Sequence, residues 1–407
     1  MEQKMPIRLP RDLGAAYTPV HFLAALGAGG IVVTFFLWLM FWVPHPGHPV
    51  PVNEDIVAAF AAGGPAMRVM IVTALAGIAL AALAHLRLML WNLRELAAFR
   101  RTSAYTALRS GNTETQLLAV TLALAMSVNA AFILGLVFVP RLWSVVEYLF
   151  PVAIAVFLAI GAYALRLMGD FFGRVLTRGG FDCAKNNSFA QLLPALAFAM
   201  IGVGLAAPAA MSTVPLTAGV SYLASSLFVT AAVLLGAVNL VLGFRAMLEN
   251  GADPAGAPTF WVAIPIVTVV SIAWIRQGHG LHVHFGEHAG GTLLPMLTGL
   301  LSVQLLFGLL GAVVLRSTGY FGRFVTGPER APGAWALVCP PVALSVMLQF
   351  WLNKGLVAAG LVAKFSPAYW SVSALAVALQ IAAIWLALRL VRHLRVLPSA
   401  ATAPKAA

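Results

Sequence analysis

Residues 18–43 read TPVHFLAALGAGGIVVTFFLWLMFWV, without one Asp, Glu, Lys or Arg. A helix rises about 1.5 Å per residue, so a run this long crosses the ~30 Å hydrocarbon core of a bilayer. Nine further runs have the same character: 67–92, 116–139, 144–168, 187–207, 215–245, 258–275, 291–316, 334–354 and 369–391. Together they take up most of the 407 residues and leave no room for a soluble domain. The expected organisation is a segment 1–17, a ten-helix membrane domain 18–391 and a tail 392–407.

Composition agrees with this reading. Hydrophobic residues make up 61% of the chain and charged residues 9%, where a soluble domain carries about a quarter charged. The mean hydropathy is +0.92. These values exclude a soluble enzyme, a disordered chain and a nucleic-acid reader, despite the net charge of +12. The opening MEQKMPIRLPRDLG is polar, and no removed signal peptide is expected. Cys183 and Cys339 lie far apart, so neither a disulfide framework nor a zinc site is implied, and no cofactor is expected.

The basic residues set the orientation. Lys4, Arg8 and Arg11 precede the first run; Arg94, Arg100, Arg101 and Arg109 follow the second; Arg174, Arg178 and Lys185 follow the fourth. Arg245, then Arg316, Arg323 and Arg330, and finally Arg389, Arg392, Arg395 and Lys405 continue the alternation. With Arg87 and Arg166 near helix ends, 20 of the 25 Lys and Arg fall on one side. Only Arg68, Arg141, Arg276, Lys354 and Lys364 fall on the other. Both termini are therefore expected in the cytoplasm, and the expected location is the bacterial inner membrane.

Proline and glycine separate the odd runs from the even ones. The first holds Gly27, Gly29 and Gly30; the fifth holds Pro194, Gly202 and Gly204; the seventh holds Pro265; the ninth holds Pro340 and Pro341. The third breaks the pattern, though it carries Ser127 and Asn129, and the eighth, with Pro295, is the even exception. Inside a membrane a freed backbone group needs a partner in protein or water. One reading puts kinked odd helices around a narrow lumen and smoother even helices against lipid. The other is that small residues simply allow close helix packing. On the first reading Gly29, Gly30, Asn129, Pro194, Pro265, Ser271, Cys339, Pro340 and Ser345 face the lumen. No charged residue is evident mid-run, which favours a passive path over a proton-coupled pump and argues against the acidic rings of a cation channel.

At this point three stretches look familiar. APTFWVAIPIVTVVSIAW (257–274), GAWALVCPPVALSV (333–346) and TPVHFLAALGAGGIVVTFFLW (18–38) resemble the seventh, ninth and first helices of the tellurite-resistance/dicarboxylate transporter family. That family includes the plant slow-type anion channels. The resemblance implies an all-α integral membrane fold of five helical hairpins in quasi-fivefold arrangement. Odd helices would line a central pore in each protomer, even helices would lie outside, and three protomers would assemble as a homotrimer. It implies passage of small anions, with a carrier of dicarboxylates or sulfite as the alternative. A phenylalanine of the ninth helix plugs the family's pore; in this chain that position falls on Cys339, and Phe36, Phe198, Phe260 or Phe350 is the alternative gate.

Histidines cluster after the seventh run in RQGHGLHVHFGEHAGG, as His279, His282, His284 and His288 with Glu287; His45 and His48 stand in PHPGHPVP. His282 and His284 would share one side of an extended segment. Zn²⁺ or Cu²⁺ binding, charge tuning of a pore mouth and a plain solvated loop all remain open. His21 and His85 are the one pair placed for haem ligation, the remotest alternative.

Overall fold

The computed structural model describes residues 9–286 and 293–394. Ten helices in it are long and apolar enough to cross a membrane, and no strand occurs among the described residues. The spans are Pro19–Trp42, Pro65–Phe99, Asn112–Phe138, Leu142–Arg178, Ala190–Met211, Pro215–Asn250, Ala257–Phe285, Leu294–Ser317, Pro332–Val357 and Pro367–Leu394. Each coincides with one of the ten runs read from the sequence. The protein is thus a multi-pass, all-α membrane protein.

Several spans outrun their sequence limits. The second, fourth and sixth contain 35, 37 and 36 residues, and at about 1.5 Å each they project some 20 Å beyond the hydrocarbon core. The apolar runs end at 92, 168 and 245, short of the helix ends. The helices continue because one face stays apolar: Trp91, Leu96 and Phe99 in the second span and Phe171 in the fourth are buried. The seventh span runs ten residues past the expected limit, to a left-handed Gly286 cap with φ of 68°.

Odd and even spans differ in burial. In the apolar windows of the odd spans 56–83% of residues are buried, against 22–33% in the even spans. The first span touches the third, the third the fifth, the fifth the seventh, the seventh the ninth, and the ninth returns to the first. Each even span packs on the odd span before it. The even helices turn small residues inward, such as Ala74 and Ala82 or Ser221, Ser225 and Ala232, and expose Leu80, Leu83, Leu223 and Leu234. Close packing of small residues holds helices together in lipid, where leucine gains nothing by hiding.

All five odd spans begin alike, with a tight 3-10 turn leading into an α-helix: Pro19–His21, Asn112–Leu117, Ala190–Leu192, Ala257–Trp261 and Pro332–Leu337. This corrects the expected role of the prolines. Pro194, Pro340 and Pro341 stand at the first helical positions and Pro265 at the third residue of its α-helix. The first-turn N–H groups have no intrahelical acceptor, so a proline there breaks no bond and bends nothing. Pro208 is the proline inside an odd helix.

The glycines serve contact between helices. A Cβ on Gly27 would stand 2.8 Å from Val338, and one on Gly30 would stand 2.9 Å from Val342, so they let the first and ninth spans meet. The face where odd spans begin is the one rich in arginine, called here the basic face. There Glu95, buried on the second span, accepts from the backbone N–H of Asp12 and Leu13 at 3.1 and 2.9 Å. Tyr17 donates to Asn92 at 2.9 Å, and the Trp91 indole donates to the Pro10 carbonyl at 2.7 Å. Residues 9–17 are therefore a clamp on the bundle rather than a loose tail. Nearby, buried Glu114 bridges Arg109 and Arg174, each at 3.1 Å, and Arg109 also reaches Asp170.

Candidate functional site: a central cavity with one arginine

Where the buried spans face one another they enclose a cavity of about 220 Å³. Its wall is drawn from the middle and C-terminal parts of the odd spans, from Leu26 to Met40 on the first and from Leu196 to Met211 on the fifth. Toward the basic face the bundle is solid: Phe22, Leu118, Leu122, Leu192, Leu337 and Val338 are completely buried. The cavity thus lies toward the face poor in arginine. The lining is mostly Val, Leu, Met and Phe, with Asn129, Thr268, Cys339 and Arg276 as its polar side chains.

The residues proposed for the lumen divide. Gly30, Asn129, Pro265 and Cys339 are on the wall, with Phe36 and Phe350. Gly29 is not; a Cβ there would press on Met126 and His85. Pro194 and Pro340 are buried in helix-starting turns. Ser271 gives its hydroxyl to the Val267 carbonyl at 2.6 Å and faces protein, as does buried Ser345. Phe198 stacks on Phe228 of the sixth span at 5.9 Å, and Phe260 meets Phe189 edge-on at 5.0 Å. Neither reaches the cavity. Of the alternative gates, Phe36 and Phe350 are therefore the two at the wall, and Phe350 is held edge-on by Phe41 at 5.5 Å.

The lining is not confined to odd spans. Phe150, Ala153 and Phe157 of the fourth span reach it at helical spacing, passing between the third and fifth spans. Phe157 gets through because Gly204 offers it no side chain: a Cβ there would stand 2.1 Å from the ring. Phe132 of the third span lies 6.2 Å from Phe150, ring centre to ring centre. A Gly facing a Phe across an odd–even pair was the available signal.

Arg276 is the candidate site residue that the sequence places in the connector after the seventh run. The helix in fact runs nine residues beyond it, and it lines the cavity. Its Nη1 donates to the Val203 carbonyl at 2.8 Å. No carboxylate pairs with it among the described residues, and no other charged side chain is on the wall. A guanidinium has five N–H donors in a planar fork that matches carboxylates and other oxyanions. Thr268 and Gln304 build a polar strut close by. Thr268 donates to the Ala343 carbonyl at 3.0 Å and receives the Gln304 amide at 2.6 Å.

The histidines do not form the expected loop. His279, His282 and His284 sit on the last turns of the seventh helix, where positions i and i+2 point about 200° apart. His284 bonds the Ser212 carbonyl at 2.9 Å. His288 and Glu287 lie outside the described residues. No group of three or more metal-binding side chains is found among the described residues. His85 is a strut: its ring nitrogens meet the Ala25 carbonyl at 2.7 Å and the Ser127 hydroxyl at 2.8 Å, leaving neither for a haem iron. His21 packs between Tyr17 and Trp91 at 5.5 and 5.7 Å.

The cavity is thus an apolar chamber with one cationic side chain, Arg276, on its wall. Comparison with protein-family models, curated proteins and solved structures gives no match to this chain.

Proposed function

We propose that this chain is an anion channel or channel-like transporter of the tellurite-resistance/dicarboxylate transporter type, passing small anions across the bacterial inner membrane. The observation that carries the reading is Arg276 standing alone on the wall of the central cavity. A half-buried guanidinium without a carboxylate carries a desolvation penalty, which an entering anion relieves. The closed succession of five buried spans, each with the same tight starting turn, supports a quasi-fivefold set of hairpins with odd helices around the path. The arginine-rich face supports cytoplasmic termini. A homotrimer, with one path per protomer, follows from the resemblance.

The solid layer toward the basic face favours a second reading. A path sealed on one side of its binding chamber also suits a carrier of dicarboxylates or sulfite that opens alternately. Planar-bilayer recordings in asymmetric salts separate these readings. A channel gives currents that reverse near the anion equilibrium potential and shrink in Arg276→Gln. Uptake that saturates without current indicates the carrier, and a reversal potential near the cation value refutes both.

A further inference from the structure

The chemistry of the cavity wall narrows the class of anion, and this step rests on the anion reading above. One positive charge faces an enclosure whose other surfaces are mostly hydrocarbon and aromatic ring, with Asn129, Thr268 and Cys339 as the remaining polar side chains. A dicarboxylate entering it would set one carboxylate on Arg276 and leave the second against Phe and Met, and an unpaired buried charge costs several kcal/mol. A strongly hydrated ion such as chloride would lose its water to walls that return few hydrogen bonds beyond those of Arg276 and Asn129. A single carboxylate carried on an apolar body suits both parts of the site.

Size agrees. An apolar protein cavity of about 150 Å³ takes up benzene, so 220 Å³ admits an aromatic ring with a carboxylate attached. We infer that the cavity is a binding site for monovalent organic anions with an apolar body. The carboxylate sits on Arg276, and the hydrocarbon part lies among Phe36, Phe132, Phe157 and Phe350. Arg276 is positioned for this by its bond to the Val203 carbonyl, which fixes one corner of the guanidinium and leaves the remaining donors for a ligand.

The test uses the full-length protein in lipid nanodiscs, titrated calorimetrically with benzoate, benzamide and succinate, with empty nanodiscs as the blank. Benzamide has the shape of benzoate without its charge. Benzoate is expected to bind wild type at least tenfold more tightly than succinate. Arg276→Gln is expected to lose that preference tenfold or more, Arg276→Lys to keep part of it, and benzamide to bind all three proteins equally. Succinate binding as tightly as benzoate, or benzoate affinity unchanged in Arg276→Gln, overturns the inference. If Arg276→Gln does not fold, the wild-type ratio of benzoate to succinate decides alone. Nitrate flux through proteoliposomes without benzoate binding removes this site and leaves the conduit. Benzoate binding without flux of any anion removes the conduit and leaves the site.

Discussion

Replacing Cys339 by phenylalanine tests whether the ninth span presents this position to open space. Cys339 stands on the cavity wall just before Pro340, at the start of an α-helix, where the resemblance places a plugging aromatic. A ring needs about the volume in which benzene is held, ~150 Å³, and the cavity offers about 220 Å³. The remainder, roughly 70 Å³, is the share of about two waters at ~30 Å³ each. The Cys339→Phe variant should therefore pass anions at least tenfold more slowly in proteoliposome flux assays. Burying a phenylalanine contributes about 1.5–3 kcal/mol, so thermal unfolding in detergent should show equal or higher stability. Undiminished flux in a stable variant would refute the idea that the path runs past this residue. A stability loss beyond ~3 kcal/mol, the scale of overpacking, would show that Cys339 faces packed protein instead.

Other consequences follow from contacts elsewhere. In Gly280→Ala the new Cβ would stand 2.2 Å from the Ala209 carbonyl oxygen, forcing the fifth and seventh spans apart, whereas Gly169→Ala meets open space. The first should cost about 1–3 kcal/mol in thermal unfolding, and the second should leave the midpoint unchanged. Glu114→Gln removes the carboxylate that Arg109 and Arg174 share. Both arginines are partly solvated, so the loss should be about 1–3 kcal/mol, below the full penalty for a buried orphan charge; urea titration of the detergent-solubilised protein would measure it. His45, in the connector after the first span, bonds the Met40 carbonyl at 3.0 Å. Burial holds its pKa below the ordinary 6.5, with Asp55 opposing. The folded connector disfavours the proton, so its stability is full above about pH 6.5 and falls as pH drops toward the folded value. Hydrogen-exchange protection factors across residues 43–52, corrected for the intrinsic pH dependence of exchange, should fall on acidification in wild type and not in His45→Gln.

Ten spans, their alternation and the arginine-rich face were legible because each is a local property. Twenty apolar residues in a row must form a helix wherever they lie in lipid, since no water is there to satisfy the backbone. The inward odd spans were foreshadowed by their glycines, although the contacts at Gly27 and Gly30 show close approach rather than bending. What the sequence could not supply was rotation. A helix apolar all round carries no contrast between its faces, so Gly29 and Gly30 read alike, yet one packs on Met126 and the other borders the cavity. Ser271 and Ser345 likewise turn into packed protein. Arg276 shows the second limit: a charge ends a hydropathy window, but whether it ends the helix depends on what surrounds it. Here the Val203 carbonyl and the cavity receive it, and that partnership exists only once the fifth and seventh spans have met.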